Sequence, residues 1–188
     1  MKRTFLALAL TLTLVSALAQ IVSRSGKYYY SRWEPSLQIP VEVRWLLLSS
    51  DIGKASREPA WKFVRDLPDS VMMATHDDYK KTGYDRGHMC PAQDRSSTKA
   101  EMKQTFFMSN VCPQVSRFNR GIWKQTENIE RGQAITHGRC HVLAMPLFFE
   151  KDTIHIGRAH VAVPHAFLKI IYDINPDTIY NVFVLWNK

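Results

Sequence analysis

From Val41 to Leu48 the chain reads as a strand, its closing Leu46-Leu47-Leu48 apolar enough to be buried on both faces. Four more strand-like runs fill the second half: Cys140 to Met145, His160 to Val163, Phe167 to Ile174 and Ile179 to Trp186, parted by Pro, Gly and Asn-Pro turns. Between these regions Thr105-Phe106-Phe107-Met108-Ser109-Asn110-Val111 predicts a further buried strand, ending at Pro113. Helical pattern is scarcer. A short helix fits Lys99 to Gln104 behind the cap signals Ser96-Ser97-Thr98, and a second fits Asn119, a good N-cap, through Trp123 and Glu127 to a stop at Gly132. Residues 49–84 are rich in Asp, Pro, Gly and Lys and predict long loops, which in compact domains usually carry function. Few helices among many strands in irregular order predict an α+β domain with a mainly antiparallel sheet core, not a βαβ repeat.

The first nineteen residues have a different character. Met1-Lys2-Arg3 precedes an uncharged apolar run from Phe5 to Leu18 that closes on Ala17-Leu18-Ala19, the pattern of a cleavable signal peptide over residues 1–19. The run falls short of the roughly 20 residues a membrane span needs. It therefore predicts a soluble chain from Gln20, secreted or periplasmic, with no membrane contact after cleavage. Residues 20–40 predict an irregular N-terminal segment packed through Tyr28-Tyr29-Tyr30, and residues 41–188 one domain. Net charge is +8, or about +6 once Lys2 and Arg3 are set aside, which favours acidic partners and phosphate backbones. Cys90, Cys112 and Cys140 allow at most one disulfide; all three pairings are open, with Cys112–Cys140 preferred because Cys90 lies beside the candidate base.

That base is His88, in Gly83-Tyr84-Asp85-Arg86-Gly87-His88. An imidazole titrates near pH 6.5, so at neutral pH it is mostly free to take a proton from an attacking water. Asp85 offers an acceptor that ties the loop, Gly87 permits a sharp approach beside substrate, and Arg86 presents a planar fork for phosphate oxygens. Downstream, Asn119 and Glu127 stand eight residues apart, about 12 Å along a helix axis, both within reach of one hydrated cation. Asn119 can ligate through its amide oxygen while Glu127 holds the ion's waters. Mg2+, with Mn2+ as a substitute, tolerates so sparse a protein shell. Trp123, midway between them, reads as core.

Three blocks in order, Gly83 to His88, Thr105 to Gln114, and Phe118-Asn119-Arg120-Gly121-Ile122-Trp123 with Glu127, resemble the DNA/RNA non-specific endonuclease family of the ββα-metal superfamily. The resemblance implies an α+β fold whose ββα-metal motif carries the active site. It implies a sugar-non-specific nuclease that cuts DNA and RNA with one divalent ion and leaves 5′-phosphate and 3′-hydroxyl ends. It assigns His88 as general base, Asn119 as direct metal ligand and Glu127 as a holder of the metal's water shell. Arg86 and Asn110 match positions that line substrate or support the base. An upstream arginine belongs to the same site; Arg57 is the better match and Arg65 competes with it.

Other readings remain in play. His88, Cys90, Cys112, His137, Cys140 and His141 could converge on zinc, although no short paired ligand spacing is present. A non-catalytic polyanion-binding module on the same fold would explain the charge but not the retained base. His155, His160 and His165 match no metal motif. Lys80, Lys81, Arg95, Arg117, Arg120 and Lys124 gather in sequence around the site; a solvated face is the plain alternative to a phosphate-tracking groove, to which Arg95, Arg120 and Lys124 are assigned.

Overall fold

A computed structural model describes residues 21–188 except 26, 59, 60, 150, 151 and 176; the expected signal peptide lies outside the described residues. In chain order the strands are β1 (Val22–Ser25), β2 (Tyr30–Glu34), β3 (Ile39–Leu48), β4 (Tyr84–His88), β5 (Val111–Val115), β6 (Arg139–Leu147), β7 (His155–Ile156), β8 (Val161–Ala162), β9 (Ala166–Ile174) and β10 (Asp177–Trp186). The helices are α1 (Lys99–Lys103), α2 (Ser116–Phe118) and α3 (Lys124–His137), and a π-helical stretch, Asn119–Trp123, joins the last two. Six strands make one antiparallel sheet in the order β1-β2-β3-β6-β9-β10, while β4 and β5 form a separate two-stranded ribbon that leads into α2 and α3. The architecture is the expected α+β fold with a ββα unit beside an antiparallel core.

Strand residues alternate as a half-buried sheet requires. In β6 Cys140, Val142 and Ala144 are fully buried, and in β9 Phe167 and Ile171 are, so one face of the sheet looks into the core. The helical unit covers that face. Phe118 and Trp123 close on Phe167 with ring centroids 5.4 and 5.3 Å away, in contact with each other at 5.6 Å. Burial of a side chain like Phe118 stabilises the docked helix by about 2 kcal/mol over its exposed state. Thus the apolar residues flanking Asn119 fix where the polar ones stand.

Several sequence expectations differ from the structure. The segment 20–40, expected to be irregular, supplies β1, β2 and the start of β3 among its described residues, with Trp33 and Ile39 fully buried in the sheet's core. β3 buries one face only, since Leu46 and Leu48 are 40% and 37% exposed while Leu47 is at 0%. The run from Thr105 is loop and 3-10 turn, and the strand begins at Val111 and continues through Pro113. The proline is tolerated because the Pro113 carbonyl and the Val115 N–H both bond Asn187 on the side away from β4. Its missing donor therefore falls on the ribbon's open edge. Helix α3 runs past Gly132 and stops at Gly138, whose φ of 83° supplies the left-handed turn that ends a helix. No disulfide forms: Cys90, Cys112 and Cys140 are buried and free.

Candidate active site

Strand β4 presents Asp85, Arg86 and His88, and the π-helical stretch presents Asn119 and Arg120 directly against it. Hydrogen bonds knit the elements. Asn119 Nδ2 donates to Asp85 Oδ2 at 3.0 Å, Ser116 Oγ donates to Asp85 Oδ1 at 3.0 Å, and Trp123 Nε1 donates to the His88 carbonyl at 3.1 Å. Gly121, with φ −103° and ψ −107°, breaks the helical repeat within the stretch. Such bulges re-aim side chains, and here the bulge lies at the point where Asn119 must face the strand. Gly87 is needed for contact, since a Cβ there would stand 2.1 Å from the buried Gln114 side chain.

Arg57, His88, Asn119, Arg120, Lys124 and Glu127 line a single cavity of ≈ 410 Å³, with Phe106 and Gln93 completing its wall. A smaller recess of ≈ 330 Å³ adjoins it and shares Arg57, Asn119 and Arg120, adding Asp85 and Arg86. The sequence-predicted base, metal donors and upstream arginine therefore share one space. Arg65 does not join them; its guanidinium donates to the Val71 carbonyl at 3.0 Å. Arg57 lies over the Phe106 ring at 4.7 Å and so stands on the cavity wall.

Electrostatics distinguishes the roles. The His88 ring sits between Phe63 and Phe106, each 4.8 Å away, with Nε2 buried and unpartnered among the described residues. Burial, with the nearby Arg57 charge adding to it, pushes its pKa down to about 3, so the imidazole is uncharged at neutral pH. Glu127 goes the other way: burial, reinforced by Asp94 and opposed by Lys169, pushes its carboxyl up to about 7. A cation alongside would restore the charged form. Burial also raises Asp85, but hydrogen bonds from Arg120, Asn119 and Ser116 outweigh it and hold the carboxylate below its usual range.

Two assigned residues lie elsewhere. Arg95 is buried, donating to the Tyr28 and Leu46 carbonyls and pairing with Asp51 at 2.7 Å, so it braces the sheet and cannot hold substrate. Asn110 is fully buried too: Oδ1 accepts from the Cys90 N–H at 2.8 Å, and Nδ2 donates to the Cys90 and Thr105 carbonyls. It clamps the turn after His88 and does not line the cavity, which fits support of the base and not contact with substrate, the two places the resemblance offered it. Sequence reasoning missed the Phe63 and Phe106 walls and the charged layer under Glu127. In that layer Asp94 accepts from Trp45 and pairs with Arg131 at 2.9 Å, and Lys169 pairs with Glu130 at 2.8 Å. Among the described residues no three His, Cys, Asp or Glu come together as a metal cluster, which leaves the zinc reading without ligands.

A family model described as DNA/RNA non-specific endonuclease matches residues 16–187. Mitochondrial endonuclease G of Bos taurus is 35% identical over 107 residues, 52% of this chain and 36% of that protein. Nuclease C1 of Cunninghamella echinulata var. echinulata is 36% identical over 134 residues, 65% of this chain and 53% of that one. The chain thus spans about a third to a half of the length of such curated relatives. Among solved structures, EndoG in the EndoG/EndoGI complex superposes with a TM-score of 0.77 at 26% identity, covering 88% of this chain and 74% of that one. The relatives overturn the expected secreted or periplasmic location: the endonuclease G proteins and the nucleases of two yeasts and Danio rerio are named as mitochondrial.

Proposed function

The chain belongs to the DNA/RNA non-specific endonuclease family, and from that membership we propose that it hydrolyses phosphodiester bonds of DNA and RNA with one divalent ion and His88 as general base. The observation that carries this reading is the common cavity of His88, Arg57, Asn119 and Glu127. A base kept uncharged stands there beside two oxygen donors and several cations.

The donor set fits a hard cation. Asn119 gives its Nδ2 to Asp85, which leaves Oδ1 without a partner among the described residues on the cavity wall, and Glu127 adds a carboxylate. Two oxygen donors without a histidine or thiolate cluster suit Mg2+, or Mn2+ in its place. When bound, the ion would offset the negative charge that develops on the phosphate and the leaving oxygen.

The chain's own residues do the rest. His88 takes the proton of the attacking water, and burial keeps the ring uncharged throughout the neutral range. Arg57 places a permanent charge where the phosphoryl oxygens become more negative. Arg120 and Lys124, both exposed at the cavity mouth, hold the backbone on either side, and Arg86 serves the adjoining recess. None of these steps requires a 2′-hydroxyl, so both sugars serve, and attack by water with the 3′ oxygen as leaving group gives 5′-phosphate and 3′-hydroxyl ends.

The test compares the purified chain with His88→Ala on plasmid DNA and on RNA, with Mg2+ and with EDTA. Only the parent with metal should cleave, and it should cleave both substrates. Binding that survives EDTA with no cleavage under any metal would instead establish a polyanion-binding module.

A further inference from the structure

Strand β2 parts from β3 at one end of the sheet. Their register stops at Tyr30 opposite Arg44. One step further on, the Arg95 guanidinium takes the carbonyls of the next opposed pair, Tyr28 and Leu46. Its remaining N–H groups go to Asp51 and the Asp94 carbonyl, so Arg95 is a wedge with no donor left to offer. Beside this split lies a cavity of ≈ 350 Å³, with Lys27, Tyr28, Tyr30, Arg44, Asp51 and Glu101 in its lining. The 3-10 turn Ala92–Arg95 separates it from the catalytic cavity: Ala92 and Gln93 line that one, and Arg95 lines this one. No step of the proposed cleavage uses these residues.

We propose that this cavity binds a nucleotide, base and phosphate together. Tyr28 and Tyr30 are half-buried rings in its wall; the Arg44 guanidinium lies 4.3 Å over the Tyr30 ring, and Lys27 Nζ lies 5.2 Å over that of Tyr28. Rings interleaved with cations make a platform on which any base can stack. The same two cations supply the phosphate. Their nearest carboxylates stand off, Glu42 at 3.6 Å from Arg44 and Glu101 at 3.9 Å from Lys27, beyond good hydrogen-bonding distance, and the two basic side chains are 56 and 77% exposed. Both therefore keep donors for a ligand. Asp51 and Glu101 add acceptors for a base amino group or a sugar hydroxyl. The volume suits one such unit, since small-molecule sites begin at about 300 Å³. This mixture decides against other occupants. A bare polyanion would meet two carboxylates and leave the rings idle, and an apolar molecule would strip water from charges without pairing them. Two sources share the nucleotide's chemistry: a free nucleotide, and one unit of a single strand crossing the surface.

The experiment titrates the full chain with 5′-AMP by calorimetry, in EDTA so that oligonucleotides stay intact. AMP should bind more tightly than adenosine or ribose 5-phosphate. Tyr30→Ala and Arg44→Ala should each weaken it about tenfold, while Tyr30→Phe, which keeps the ring, should bind as the parent does. Circular dichroism melts check that the variants fold, and the exposed Arg44 carries the test should Tyr30→Ala not. His88→Ala should bind AMP like the parent even where it no longer cleaves, so this site and the cleavage reading stand or fall separately. A short oligothymidylate that displaces AMP would assign the cavity to a bound strand, and AMP binding indifferent to it would assign the cavity to free nucleotide. No heat with millimolar AMP, or ribose 5-phosphate binding as tightly as AMP, would overturn the proposal. So would binding that survives Tyr30→Ala and Arg44→Ala but is lost in Arg120→Ala/Lys124→Ala, an outcome that would place the nucleotide in the catalytic cavity.

Discussion

Asn119 donates its side-chain amide to Asp85 across the gap between helix and strand, 3.0 Å from nitrogen to oxygen, and this one bond decides which end of the amide meets the cavity. Asp85 is held in turn by Ser116 and by two Arg120 nitrogens, so it organises the proposed metal donor and the proposed phosphate-binding arginine together. Replacing it with alanine should leave Asn119 free to rotate. Outer-layer partners of this kind are typically worth about 10–100-fold in metal affinity. Calorimetric titration of Asp85→Ala with Mn2+ should show a loss of that size with little change in melting temperature. An unchanged affinity would mean that Asn119 is oriented by the bulge alone.

Arg95 and Arg120 carry the same charge and should fail differently. Arg120 is exposed, so Arg120→Ala should lower the salt slope of nucleic-acid binding by about one and leave the fold intact. Arg95 is buried among carbonyls and Asp51, so Arg95→Ala should cost roughly 3 kcal/mol of stability and leave the salt slope alone. Urea denaturation and binding titrations at several salt concentrations read the two effects separately.

What was legible in the chain were features that depend on near neighbours. Period-two runs marked β6, β9 and β10 to within a few residues, and Thr98 marked the start of α1, where its hydroxyl accepts from the Glu101 N–H. Most residues of the candidate cavity were legible because they fall in two short blocks, Asp85 to His88 on the ribbon and Asn119 to Glu127 on the helix, with Arg57 outside both. Features set by distant contacts were not. Pro113 could stand in a strand because its missing N–H falls on that strand's open edge, which Asn187, seventy-four residues on, marks by bonding the Pro113 carbonyl. Arg95 read as one more surface cation because its partners, Tyr28, Leu46 and Asp51, lie more than forty residues away. Gly132 looked like a stop, but the packing of α3 on the sheet offsets the roughly 1 kcal/mol that a helical glycine costs.

His88 and Glu127 should give opposite pH dependences of stability without metal. The folded imidazole takes up its proton only near pH 3, an unfolded one near 6.5. Between those values the unfolded chain binds more protons, so the contribution of His88 is complete above pH 6.5 and is lost as pH falls toward 3. The folded Glu127 keeps its proton up to about 7, an unfolded one to 4.5, so its contribution is complete below pH 4.5 and lost as pH rises through 7. Thermal melts from pH 3 to 8 in EDTA should show a gentler acid limb for His88→Gln and less loss between pH 4.5 and 7 for Glu127→Gln. Identical profiles for parent and variants would place both side chains in water.

The buried pair of Lys169 and Glu130 offers the sharpest test of how the catalytic unit is held on the sheet. Both are fully buried at 2.8 Å, and Lys169 Nζ also lies 4.2 Å from the Trp123 ring centre. Burial drives Glu130 toward its protonated form and Lys169 opposes this, so removing the lysine strands a carboxyl in the core. Lys169→Met should therefore cost about 3–5 kcal/mol in urea denaturation, whereas Lys169→Met with Glu130→Leu should recover most of it, because an apolar pair of similar volume needs no solvation. The same loss reaches the chemistry. Trp123 holds the His88 carbonyl through Nε1, so the single variant should lose cleavage rate beyond what its unfolded fraction explains, and the double variant should regain it. A double variant as unstable as the single one would show that the ion pair itself fastens α3 to the sheet.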